Sequence, residues 1–182
     1  MNNYKMPENS EMDQLREAFS RNAWFQELTS DLRSEKISGE VSLSRLYAYV
    51  TSNSSADEAL EKKINDNQNL RRAYLDMIKR TAIYQLPQAM AASSEEFPIR
   101  HGKDFTIRME ASRAEVDQVY VIIEAAETVF EFPKIMYLIT EDKVCQKCEL
   151  PEPRNNIIQL IYDHKSDVIA FLKNPNTEVK LN

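Results

Sequence analysis

Proline divides this chain. None lies between Pro7 and Pro87, and Pro98, Pro133, Pro151, Pro153 and Pro175 then follow. Proline's fixed φ and missing N–H exclude it from helix interiors, so the first half is open to helices and the second to strands and turns. Glycine narrows the choice further, because Gly39 and Gly102 are the only two among 182 residues. Phosphate-cradling loops and nucleophile elbows need backbone positions that glycine alone tolerates. Most nucleotide-binding and hydrolase architectures are therefore disfavoured.

Apolar spacing in the first half is helical. Leu15, Ala18, Phe19, Phe25, Leu28 and Leu32 recur three and four apart from Glu11 onward, after a polar segment 1–10 expected to fray. Ser42 is placed to cap a second helix carrying Leu43, Leu46, Tyr47 and Val50. Ser55 and Glu58 have the spacing of a capping box at the start of a third, with Leu60 and Ile64. Asn65–Asn69 interrupts it before a fourth helix with Leu70, Ala73, Tyr74, Met77 and Ile78, which ends before Pro87.

Ala89–Ile99, with two serines, two glutamates and Pro98, reads as a linker. Beyond it the period becomes two. FTIRMEA alternates, QVYVIIEA is β-branched on both faces and is expected to be a central, two-sided strand, and KIMYLIT, VCQKCEL, IIQLIY and TEVKL are further strands, with Ser166 placed to cap a short helix DVIAFLK. The expected fold is α+β: an N-terminal helical bundle in a module 1–92, then a mainly antiparallel β-sandwich or open barrel with one short helix in a module 93–182.

The net charge of −6 is uneven: residues 1–92 carry 12 basic and 13 acidic side chains, residues 93–182 carry 11 and 16. Nucleic-acid binding draws its affinity from cations that neutralise phosphates, so an acidic chain of this kind is expected to bind neither nucleic acid nor anionic membrane surfaces. No window approaches the apolar run of about 18–20 residues of a spanning helix, and the first twenty residues lack a signal-peptide core. A cytoplasmic location is expected.

Cys145 and Cys148 form the one motif-like element, the CxxC of a half zinc site or a redox pair. Zinc would need two more ligands, and only His101 and His164 exist, at unpatterned positions. Residues three apart on a strand face opposite sides, so the thiols are not expected to meet. His164, between Asp163 and Asp167, reads as part of a capped turn rather than a catalytic histidine. The carboxylates show no catalytic pairing, and no cofactor is implied. Leu46, Tyr47, Tyr49 and Tyr74 are candidate partner-binding residues: Tyr47 and Tyr49 cannot both face one side of a helix, so one of them is expected at the surface, where aromatics mark interfaces.

The stretch Leu43–Lys79, with Tyr49–Val50, Ser55–Glu58, Leu60–Glu61 and Leu70–Arg71, resembles the helical N-terminal domain of bacterial anti-sigma factors and related regulators. The zinc motif and transmembrane segment of that family are missing here. The resemblance implies a docking module for another protein. The function expected is a non-enzymatic regulatory or adaptor protein acting through protein contacts. The alternative is a β-sandwich ligand binder or accessory subunit of an enzyme complex, and a thiol or zinc enzyme using Cys145 and Cys148 ranks third.

Overall fold

A computed structural model describes residues 41–52, 57–86, 97–129 and 131–182. The expected helix over Glu11–Leu32, Ser55 and most of the Ala89–Ile99 linker lie outside these residues. The described chain is mixed α+β. Helices α1 (Leu43–Thr51), α2 (Glu58–Asp66) and α3 (Gln68–Thr81) come first. They are followed by β1 (Tyr84–Leu86), β2 (Arg100–His101), β3 (Phe105–Ala111), β4 (Gln118–Ala125), β5 (Ile135–Ile139), β6 (Cys145–Glu149), β7 (Ile157–Asp163), α4 (Asp167–Lys173) and β8 (Glu178–Leu181).

Each helix start has a side-chain acceptor. Ser42 Oγ accepts from the Arg45 N–H at 3.2 Å and Ser166 Oγ from the Ile169 N–H at 3.4 Å, as the sequence implies. The second helix differs. Its cap is Asp57, whose Oδ1 accepts from the Leu60 N–H at 3.0 Å while its Oδ2 binds Arg45 at 2.6 Å. An aspartate that caps and pairs at once takes the role assigned to Ser55. The interruption that follows is one residue long: Asn67 ends α2 and its Oδ1 caps α3, accepting from the N–H groups of Asn69 and Leu70.

The strands form two four-stranded antiparallel sheets, neither closed. Sheet A has the order β1-β8-β5-β6, sheet B the order β2-β3-β4-β7. Both contribute alternate residues to one apolar core: Met136, Leu138, Val179 and Leu181 from sheet A, and Ile107, Val119, Val121, Ile123 and Ile158 from sheet B. Val168, Ile169 and Leu172 of α4 join the same core. Arg100, almost wholly buried, donates to the carbonyls of Leu172, Asn174 and Thr177, and so satisfies acceptors that the end of α4 leaves orphaned.

Among the described residues, left-handed turn positions fall to residues other than glycine. Asn155 and Asn156 have φ 52° and 63°, and the bracketing residues exchange hydrogen bonds, Arg154 N–H to Ile157 O at 2.8 Å and the reverse at 3.0 Å. Two positive φ values inside a two-residue loop make the hairpin turn whose twist suits antiparallel strands, and asparagine tolerates it better than most residues. A glycine-poor chain still turns tightly this way.

The strand buried on both faces is β5, not β4, on which the sequence expectation fell. Its Met136 and Leu138 face the intersheet core, while Ile135, Tyr137 and Ile139 pack with α1, α2 and α3. The helices therefore lie on sheet A as a third layer. The boundary expected at 92/93 falls outside the described residues, but contacts bridge it. Tyr84–Leu86, which carries no strand signal strong enough to stand alone, pairs with β8, Tyr84 opposite Leu181.

The end of α1 is anchored by sheet A. The Tyr137 hydroxyl donates to the Val50 carbonyl at 2.9 Å, and Asn182 Nδ2 donates to the same oxygen at 3.1 Å. Lys147 Nζ donates to the carbonyls of Tyr49 at 2.8 Å and Ser52 at 3.1 Å. The last carbonyls of a helix have no partner of their own. Here they are met by a strand interior, which fixes the helical layer to the sheet.

Candidate functional site

Three of the four residues read as a partner surface are interior. Leu46, Tyr49 and Tyr74 are buried in the layer between the helices and sheet A, and only Tyr47 is partly exposed. The reason lies in the helix period: Leu46, Tyr49 and Val50 stand at i, i+3 and i+4 and share one stripe, and Tyr47 lies off it. That stripe belongs to Tyr137, a strand residue with no exposed surface. The rings of Tyr49 and Tyr74 lie 5.9 Å apart and those of Tyr74 and Tyr137 lie 6.4 Å apart, edge-on.

Tyr49 and Tyr74 line a half-open cleft of about 110 Å³ between α2, α3 and the edge strand β6. The Tyr49 hydroxyl donates to Glu61 Oε1 at 2.6 Å. Burial and then this bonded carboxylate push the Tyr49 phenol far above its usual range, so it stays protonated. Burial does the same to Tyr74 and Tyr137. Lys147 crosses the face of the Tyr49 ring at 4.3 Å, and burial lowers its ammonium pKa against the opposing pull of Glu149 and Glu61. Of these residues Tyr49 and Tyr74 stood out as a candidate surface, and Glu61 and Arg71 only within the likeness of Leu43–Lys79. Tyr137 and Lys147 carry no local signal, because they come from strands far along the chain from the helices they meet.

The two thiols lie on opposite faces of β6. Cys145 packs toward the helices and its Sγ meets the Tyr74 hydroxyl at 3.8 Å, whereas Cys148 is in the intersheet core. Burial pushes Cys145 up to about 12, although the Tyr74 hydrogen bond opposes it, and pushes Cys148 up to about 11. A reactive thiol needs the opposite shift. Among the described residues, no group of three or more His, Cys, Asp and Glu side chains is placed to hold a metal. His101 falls on β2 rather than in a loop, with Nδ1 3.5 Å from Thr106 Oγ1. Asp163 accepts from the Lys165 N–H in the turn that holds His164.

A second feature needed the tertiary arrangement to be seen. Sheet A is covered on both faces, while the outer face of sheet B presents Tyr120, Ile157 and Ile161 around a buried Ile122. Ile161 is 54% exposed and pairs directly across the strands with Tyr120. Around them Arg108 binds Glu124 at 2.9 Å and also pairs with Glu110. Asp163 lies at the end of β7.

No family model, curated protein or solved structure matches the chain. No described helix is long and apolar enough to cross a membrane.

Proposed function

We propose that this chain is a non-catalytic regulatory or adaptor module that works in the cytoplasm by docking a partner protein on the outer face of sheet B. The observation that carries the reading is the exposed pair Ile157 and Ile161 on β7, beside the half-buried Tyr120. An aromatic and aliphatic centre with a polar rim is the composition of a protein interface. Glu110 and Glu124, both paired with Arg108, lie beside this centre, and Asp163 ends β7. The partner that fits presents an apolar knob surrounded by lysines or arginines, and ionic strength weakens the complex.

Two unlinked thiols, Cys145 half-buried and Cys148 buried, agree with a reducing compartment. The likeness of Leu43–Lys79 to anti-sigma domains supports a regulatory partner. Leu46, Tyr49 and Tyr74 are committed to the interior, however, which moves the docking surface from the helices to the sheet.

The test is a photo-crosslinking amino acid placed at Ile161 of the intact chain in the cells that make it. A matched control is placed at Val116, which is 93% exposed in the loop before β4. One basic-surfaced protein captured at 161 and not at 116 supports the proposal. Equal capture at both positions, none at either, or only a second copy of this chain refutes it.

A further inference from the structure

A strand at the edge of an open sheet presents unpaired N–H and C=O groups that template another strand. Among the described residues, the edges of the two sheets are β1 and β6, and β2 and β7. They are not equally defended. β2 and β1 are two and three residues long. β6 carries Lys147 and Glu149, and its Lys147 carbonyl accepts from Gln146 Nε2 at 3.2 Å. β7 is seven residues long, and its Ile157–Tyr162 stretch holds no charge, proline or glycine.

The ladder decides which backbone groups of β7 point outward. Antiparallel pairs alternate between residues bonded to each other and residues that are not. The Ala125 N–H donates to Asn156 O at 2.9 Å and the His164 N–H to Asp117 O at 2.7 Å, so the even-numbered positions from 156 to 164 bond toward β4. The odd-numbered positions point away. Ile157 spends both of its groups on Arg154, and the Asp163 carbonyl accepts from the Ser166 N–H at 3.0 Å. The N–H and C=O of Gln159 and Ile161 and the N–H of Asp163 have no described backbone partner.

The inner face of the same stretch gives a second observation. Ile158 is buried, but Leu160 and Tyr162 are only half-buried although they pack on the intersheet core. That core is open beside β7. Ile161, on the outer face, is exposed as well, so a neighbour lying along this edge would shield apolar side chains on both faces.

We propose that the partner docks by adding a strand to β7, through an extended segment that is apolar on both faces. This rests on the docking reading above and names its mode. An extended backbone matches donors and acceptors spaced two residues apart, and it seats alternate side chains against Ile161 and against Leu160 and Tyr162. The apolar knob of the partner is then a side chain of the added strand. A second copy fits less well. In a two-fold pairing of β7 centred on Leu160, the copy's Asp163 falls opposite Ile157, where Arg154 already sits.

The test keeps the photo-crosslinking amino acid at Ile161 of the intact chain and changes Gln159. Gln159→Pro removes one outward N–H and places a ring on the edge, and it spares the β4 ladder because proline is tolerated at edge positions. Gln159→Thr removes the same side chain and keeps the backbone. Capture at 161 should fall about tenfold or more with proline, as a lost hydrogen bond strands its acceptor, and should be unchanged with threonine. Amide exchange on the parent chain, alone and bound to the captured protein, reads the same point without a variant. The Gln159 and Ile161 amides should slow at least about tenfold in the complex. Undiminished capture by a Gln159→Pro chain with an unchanged circular-dichroism spectrum overturns strand addition and leaves the docking face standing. Equal losses with proline and threonine do the same, as do amides at 159 and 161 that exchange as fast in the complex as outside it. No capture at 161 by the parent chain, or capture of a second copy alone, removes the docking reading and this proposal with it.

Discussion

Removing both donors to the Val50 carbonyl should destabilise the protein by more than the sum of the two losses. Val50 is fully buried, and its oxygen accepts from Tyr137 Oη at 2.9 Å and Asn182 Nδ2 at 3.1 Å. Tyr137→Phe keeps the ring and its edge contact with Tyr74 and deletes one hydrogen bond, at a cost of about 0.5–1.5 kcal/mol. Asn182→Ala costs a similar amount or less, since its amide is only partly buried. In either single variant the carbonyl keeps a partner. In the double variant it has none among the described residues, and an orphaned buried acceptor adds about 1–3 kcal/mol. Urea unfolding followed by circular dichroism, with the m-value held constant, reads the three variants. A coupling of about 1 kcal/mol or more is expected, with melting lowered by about 2–4 °C for each kcal/mol in a chain of this size. Additivity within about 0.5 kcal/mol would refute the anchoring of α1 on sheet A.

Three further outcomes follow from the same packing. Tyr49→Asp places a carboxylate beside Glu61 in the interior, and it should cost about 3–5 kcal/mol in folding stability; a variant that melts like the parent would return Tyr49 to the surface. Arg100→Met leaves the carbonyls of Leu172, Asn174 and Thr177 without their donor, and a loss of about 3–5 kcal/mol is expected, where a loss under about 1 kcal/mol would show that water replaces the guanidinium. Cys145 and Cys148 rise from 9.0 to about 12 and about 11 on folding. The stability from keeping them neutral is full below pH 9 and declines as pH climbs toward 11–12, by up to about 1.4 kcal/mol per pH unit for each thiol. The urea midpoint should fall between pH 8 and 10.5 more steeply in the parent than in a Cys145→Ser, Cys148→Ser chain, and parallel curves would contradict the assignment.

What the sequence revealed was local. Alternation marked β3 (FTIRMEA), and hydroxyls at Ser42 and Ser166 marked two helix starts, because both signals rest on neighbours in the chain. The opposed faces of Cys145 and Cys148 followed from the strand period alone. Tyr84–Leu86 was missed because three residues make a strand only when β8 is there to pair with. The interior place of Tyr49 is legible in the helix period, since Leu46, Tyr49 and Val50 form the apolar stripe and Tyr47 does not. The cleft and the sheet B face had no local signature. Ile161 looks like a core residue until the other face of its strand is seen to hold the core.

The most direct test of the docking account is affinity for the protein crosslinked at position 161, measured with the parent chain and with Ile161→Asp. Ile161 sits on the uncovered face and contributes nothing to either core cluster, so melting should change by no more than about 0.5 kcal/mol equivalent. A central anchor carries about 2 kcal/mol or more of binding, which is about thirtyfold in Kd. A thirtyfold loss with unchanged melting is the result predicted. Unchanged affinity for a folded Ile161→Asp chain would contradict the account.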